Sequence, residues 1–174
     1  TENWQRPPRE VNYLMSLPEK YFKSELPDLV RNNVQVRQIG DNSKLPSRVQ
    51  KVLRDGIEAT SGNSGMILNF ALNYGSRSEI IMAVNNLIND KLNGKIKGKV
   101  NEITLSKYLY TSELPDPDLL IRTSGEQRIS NFLLWQMAYS ELWFTDVYWP
   151  DFSKVHLLEA VYDFQQRKRR FGKV

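Results

Sequence analysis

Two hydrophobic periods alternate along this chain, and that alternation restricts its fold more than any other feature. Val34 to Ile39 alternates apolar and polar residues and reads as a strand, ended by Gly40-Asp41-Asn42. Met66 to Leu72 is more continuously apolar, as in a central parallel strand. Asp118 to Arg122 and Leu142 to Thr145 read as third and fourth strands. The segments between them keep a helical phase. Val11, Leu14, Phe22, Leu26 and Leu29 outline a long amphipathic helix from about Arg9 to Arg31, kinked by Pro18 and Pro27 and stopped at Asn32-Asn33. Pro46 opens a second helix carrying Val49, Val52 and Leu53. Ser76 and Glu79 have capping-box spacing before a helix that turns Ile80, Val84, Leu87 and Ile88 inward. Further helices are expected over Leu105–Leu109, Ser130–Tyr139 and Ser153–Arg170. No two-residue hairpin joins the strands. The expected fold is α/β, a single domain over 1–174 with a mostly parallel central sheet and helices on both faces.

The inventory narrows the chemistry. No cysteine is present, which excludes disulfides, thiolate metal sites and a cysteine nucleophile. The one histidine, His156, sits among helix-like residues and reads as structural. Carboxylates, hydroxyls, amides and arginines remain, and hard oxygen ligands favour magnesium over softer metals. No stretch reaches the roughly 18 apolar residues of a membrane span, and a cytoplasmic location is expected. A net charge of +4 permits acidic or phosphorylated partners. The run Arg167-Lys168-Arg169-Arg170 reads either as a solvated helix end complementing the dipole or as a nucleic-acid tail without a recognisable motif.

Ligands of open parallel sheets bind outside the carboxyl ends of the strands. The third strand ends in Arg122-Thr123-Ser124-Gly125-Glu126-Gln127-Arg128-Ile129-Ser130. A tight turn at Gly125, a new helix N-terminus and two forked guanidinium groups would make an anion site. Ser130 could add a hydroxyl or simply cap the helix, and either arginine could instead serve a structural carboxylate. Asp118 and Glu126 could orient the arginines. Glu141 reads as an exposed acid at a strand edge. Trp135, Tyr139, Trp143, Phe144, Tyr148 and Trp149 crowd one stretch and suit either a core or a subunit interface.

Together, these segments resemble the cis-prenyltransferase family of bacterial undecaprenyl diphosphate synthases. Glu2-Asn3-Trp4, Arg6 and Pro7 match the family's S-x-E-N-W-x-R-P loop. Asp118 to Gln136 is similar to its longest motif, Glu141 to Phe152 continues it, and Arg169-Arg170-Phe171-Gly172 matches its C-terminal motif. Gln127 stands where many members have histidine. The resemblance implies a magnesium-dependent transferase that adds isopentenyl diphosphate, with cis double bonds, to farnesyl diphosphate. Its product would be undecaprenyl diphosphate, the lipid carrier for cell-wall glycans. Asn3 would be the proton acceptor, and Trp4 and Arg6 would contact substrate near the allylic end. Arg122, Arg128, Ile129 and Ser130 would hold isopentenyl diphosphate, and Glu141 would help hold Mg2+. The long first helix would wall an apolar tunnel. A homodimer and peripheral membrane association for product delivery are also implied, and no nucleic-acid partner.

The family's M-D-G-N-G-R-W-A motif lies upstream of the E-N-W loop and has no counterpart here. The expectation is a chain lacking the N-terminal strands and helices, inactive by itself. A non-catalytic subunit working by association is the alternative, against which stand Asn3, Arg6, Arg122, Arg128, Ser130 and Glu141.

Overall fold

The computed structural model describes residues 2–169, apart from the side chains of Glu2, Asn3 and Lys23. The chain forms two compact units, Thr1–Glu79 and Ile80–Val174.

In the first unit, a short 3-10 turn, Glu2–Gln5, leads into α1 (Pro8–Arg31). Pro8 suits the first helical position because its missing N–H would have no partner there. Pro18 and Pro27 lie inside the helix and each removes one backbone bond, yet the helix continues through both. β1 (Gln35–Ile39), α2 (Ser47–Ala59) and β2 (Ile67–Ala71) then form a parallel βαβ unit. Its register pairs Val36 with Leu68 and Ile39 with Ala71.

The core lies between the strand pair and the two helices. Phe22, Val36 and Val52 pack together, with Leu26, Leu29, Ile57 and Phe70 against them. The Phe22 and Phe70 rings lie 5.6 Å apart. Burying a side chain of that size contributes about 2–3 kcal/mol. Gly56 is what admits the ring, because a Cβ there would lie 1.9 Å from Phe22 Cε1. A second cluster joins Leu45, Val49 and Leu53 to Met15 and Leu72. Thr60 satisfies an otherwise stranded donor: its buried hydroxyl accepts from Val36 N–H at 3.0 Å and donates to Gly56 O at 2.8 Å. β2 is half-exposed rather than buried, with Ile67 and Ala71 at its ends open to solvent.

α3 (Ser76–Leu92) begins in the first unit and runs into the second. Ala83 and Leu87 are its buried apolar residues, whereas Ile88, expected inside, is 46% exposed. In the second unit, α4 spans Glu102–Ser106, earlier than the expected Leu105–Leu109. Asn101 fixes that start, its side chain accepting from Thr104 N–H at 2.9 Å. β3 (Leu119–Arg122) and β4 (Glu141–Phe144) pair in parallel, Leu119 with Glu141 and Arg122 with Phe144. The helix expected over Ser130–Tyr139 is not formed; that segment is a series of turns. Ser130, Asn131 and Leu133 have φ of 47°, 61° and 45°, outside the right-handed helical region, so no α-helix can start at Ser130.

α5 (Lys154–Gln166) closes the described chain. His156 has the structural role expected of it, its Nδ1 accepting from Ser153 N–H at 3.0 Å at the helix start. The helix stops before the basic run, so those cations do not complement its last turn: Arg167 already has extended backbone angles. Among the described residues, no helix is long and apolar enough to cross a membrane.

Candidate active site

In the first unit, the candidate site gathers at the carboxyl ends of β1 and β2. Gly40 ends β1 with φ 112°, and a Cβ there would lie 2.1 Å from the Leu72 carbonyl oxygen. This close approach lets Asp41 N–H reach Asn73 O at 3.3 Å. The Asp41 carboxylate accepts from Ser43 N–H at 2.8 Å; hydrogen bonding from the Ser43 side chain first, and from this backbone N–H second, holds its pKa below the ordinary value. Asn73 has φ 47°. Its Oδ1 accepts from the Trp4 indole N–H at 2.7 Å, and its Nδ2 donates to Asp41 O at 2.7 Å. Beside it lies a cavity of about 230 Å³, walled by Leu14, Met15 and Pro18 of α1 and by Trp4, Leu72 and Tyr74. Tyr74 donates to the buried Glu79 carboxylate at 2.5 Å. Arg6 is half-exposed and ion-paired to Glu10 in the first turn of α1. The side chain of Asn3 lies outside the described residues.

In the second unit, the loops leaving β3 and β4 are zipped together. Ser124 N–H donates to Val147 O and Gly125 N–H to Thr145 O, both at 2.9 Å. Gly125 has φ 70°, and a Cβ there would stand 3.1 Å from Asp146 Oδ1. Arg122 ends β3, half-buried, and its guanidinium has no hydrogen-bond or ion-pair partner among the described residues. Arg128 is exposed and ion-paired to Glu126, the carboxylate two residues before it. Ile129 is half-buried and Ser130 exposed on the same loop. This loop therefore presents cations and hydroxyls without the helix N-terminus expected behind it.

Glu141 stands apart from that loop. It opens β4 opposite Leu119, whereas Arg122 is opposite Phe144. Three residues of strand separate the two levels, about 10 Å. Its carboxylate accepts from Arg167 at 2.9 Å, and Arg167 also reaches Leu142 O at 3.0 Å and Asp163 at 2.5 Å. The Glu141 carboxylate, and after it Asp163, push the Arg167 pKa up. Asp118 pairs with Arg169 rather than orienting Arg122 or Arg128. Arg170, Phe171 and Gly172 of the C-terminal motif lie outside the described residues. A carboxylate oxygen suits magnesium. The set is incomplete, however: among the described residues no group of three or more acids or histidines could hold a metal.

The exposed aromatic surface also belongs to this unit. Trp135, Trp143 and Phe144 are half-buried, but Tyr139, Tyr148 and Trp149 are exposed, Trp149 by 71%.

The family model described as "Putative undecaprenyl diphosphate synthase" matches residues 1–172. The chain belongs to the undecaprenyl diphosphate synthase (isoprenyl transferase) family. It is 59% identical over its whole length to an isoprenyl transferase of Bacillus anthracis, covering 68% of that relative. To the isoprenyl transferase of Bacillus subtilis it is 53% identical, with 99% of this chain and 66% of the relative covered. The chain thus spans about two thirds of the length of the curated relatives it matches. Among solved structures, lavandulyl diphosphate synthase from Lavandula x intermedia, in complex with dimethylallyl diphosphate, superposes with a TM-score of 0.95. The two are 35% identical over 99% of this chain and 75% of that one. A probable undecaprenyl diphosphate synthase from Campylobacter jejuni gives a TM-score of 0.88 at 34% identity, over 99% and 79% of the chains.

Within the family's motifs, sequence reasoning singled out Trp4, Arg6 and the Arg122–Ser130 loop but passed over Asn73. The signal for it was the Asn73-Tyr74-Gly75 turn after a strand, since asparagine is the non-glycine residue best suited to positive φ. Arg167, the partner of Glu141, was read only as part of a basic run. No local pattern could have linked it to a residue 26 positions away.

Proposed function

We propose that this chain works as an undecaprenyl diphosphate synthase, adding isopentenyl diphosphate units to farnesyl diphosphate for the carrier of cell-wall polysaccharides. One mostly parallel prenyltransferase domain over 1–174 is part of that reading, supported by matches along the whole chain. The observation that carries the chemistry is Arg122, a guanidinium without a hydrogen-bond or ion-pair partner among the described residues, at the carboxyl end of a parallel strand pair.

Arg122 would grip the isopentenyl diphosphate with forked, charge-assisted bonds. Arg128 would join it by exchanging Glu126 for a phosphate oxygen, which costs little because that ion pair is exposed. Ser130 would add a hydroxyl, and Ile129 would cover the apolar part of the substrate. In the first unit, Trp4 and Arg6 would meet the allylic substrate, and the cavity beside α1 would receive its hydrocarbon.

In each condensation the isopentenyl double bond attacks the allylic carbon. The carbon–oxygen bond to diphosphate breaks, and the leaving pyrophosphate takes that electron pair. A proton leaves the isopentenyl unit to restore a double bond. Asn3 would receive it; a neutral amide is a weak base, so it would pass the proton on through water or pyrophosphate oxygen. Glu141 would offer one magnesium ligand once released from Arg167, with substrate oxygens completing the set. When bound, magnesium would neutralise charge on the diphosphate.

We also read α5 and the loop before it as part of a homodimer interface. Val155, Leu158 and Tyr162 share one helical face and are exposed, as are Tyr148 and Trp149.

Radiolabelled isopentenyl incorporation tests the reading. It should be measured on this chain and on the chain preceded by a segment bearing the M-D-G-N-G-R-W-A motif. Magnesium-dependent incorporation is expected in the longer form alone. Arg128→Ala should raise KM for isopentenyl diphosphate while barely altering starter binding. Equal loss of both would remove Arg128 from its assigned place.

A further inference from the structure

We propose that Asn73 is a positioning residue that docks the Glu2–Gln5 loop, through Trp4, onto the carboxyl ends of β1 and β2. The inference rests on the proposed substrate role of Trp4 and deepens it.

The bond chemistry around Asn73 admits one orientation. The indole N–H of Trp4 can only donate, so the group facing it must be an acceptor. The Asp41 carbonyl can only accept, so the group facing it must be a donor. One primary amide satisfies both, at 2.7 Å each. Aspartate would keep the first bond and set a carboxylate against the carbonyl. Leucine would lose both.

The backbone at this position makes a separate demand. Asn73 has φ 47°, a region that asparagine enters more readily than other residues with a Cβ. Asp41 N–H returns a bond to Asn73 O at 3.3 Å, so the two strand ends are cross-linked in both directions. Trp4, Asn73 and Tyr74 then line the same cavity as Leu14, Met15 and Pro18. The loop that carries Trp4 is thereby tied to the residues that bound the cavity. In the docked state the indole forms part of the wall, and loss of the amide would leave it without a polar anchor.

Asn73→Gly isolates the amide, because glycine accepts the same backbone angles. The chain contains four tryptophans, so 5-fluorotryptophan labelling gives four 19F resonances, and Trp4→Phe identifies the one from Trp4. Asn73→Gly should move the Trp4 resonance toward its unfolded, solvent-exposed position, leave the other three unmoved, and leave the melting transition intact. Losing the one hydrogen bond that ties Trp4 to Asn73 should shift the docking equilibrium by up to about tenfold. In the active form, KM for farnesyl diphosphate should rise by about the same factor. A Trp4 resonance unaffected by Asn73→Gly overturns the proposal. So does a resonance shift shared by all four tryptophans, which would mean general unfolding. If Trp4 is released while KM for farnesyl diphosphate stays unchanged, docking by Asn73 stands and the substrate role of Trp4 falls. Asn73→Asp, which keeps the acceptor for Trp4 and loses only the donor to Asp41, should move the Trp4 resonance less than Asn73→Gly.

Discussion

The close approach of Gly40 to Leu72 makes a quantitative prediction about the floor of the site. In Gly40→Ala, the new Cβ would start 2.1 Å from a backbone oxygen, at φ 112°. The torsional strain alone is about 1–3 kcal/mol. Relief of the clash requires the ends of β1 and β2 to separate by about 1 Å, the shortfall from an ordinary contact, which strains the Asp41–Asn73 and Leu72–Ile39 backbone bonds. Each of those is worth about 0.5–1.5 kcal/mol. A loss of about 3 kcal/mol is expected, a large share of the roughly 5–15 kcal/mol that holds a domain together. Two other glycines supply controls. Gly94 has φ 72° but open space around its Cβ direction, so Gly94→Ala should show the strain alone, about 1–2 kcal/mol. Gly62 has neither constraint, so Gly62→Ala should be neutral or stabilise by about 0.4–1 kcal/mol. Urea unfolding followed by far-ultraviolet circular dichroism reads all three. With a slope of about 2 kcal/mol per molar, Gly40→Ala should lower the midpoint by about 1.5 M. A Gly40→Ala midpoint equal to that of Gly94→Ala would refute the steric argument.

Asp90 accepts from Lys95 at 2.7 Å and from Tyr108 at 3.0 Å, and its carboxyl pKa is lowered chiefly by the Lys95 bond. A depressed folded pKa stabilises above the unfolded value and loses that stabilisation as pH falls through the folded value. The melting difference between the parent chain and Asp90→Asn should therefore be present at pH 7 and close below about pH 3.8. At the proposed interface, Trp149→Glu combined with Tyr162→Glu should shift sedimentation from dimer to monomer with the circular dichroism spectrum retained. An unchanged dimer would place the interface elsewhere.

Strands and the first helices were legible because local chemistry and burial agree there. Pro8 and Asn32 bracket α1, the alternation in 34–39 matches β1, and Pro46 precedes α2. Residues 130–139 misled because their apolar content resembles a buried helix face. Positive φ at Ser130, Asn131 and Leu133 is not encoded by hydrophobic spacing, and only Asn131 belongs to a type that favours it. α5 was drawn too long because Arg167 is a good helix former. Its contacts with Glu141 and Leu142 draw it out of the helix, and such long-range pairing overrides local propensity. The anion loop was legible in its residue types but not in its support: paired strand-end loops hold it, where a helix N-terminus was expected. Aromatic content could not separate core from surface, since Trp143 and Trp149 share a motif yet differ in burial.

The central claim is that this chain carries the machinery for cis-condensation of isopentenyl diphosphate onto farnesyl diphosphate. The direct measurement is product analysis after incubating the motif-bearing form with both substrates and magnesium. The account predicts undecaprenyl diphosphate with newly formed cis double bonds, and its loss in Arg122→Ala. Farnesyl diphosphate recovered without elongation, under conditions where a Bacillus relative elongates it, would contradict the account.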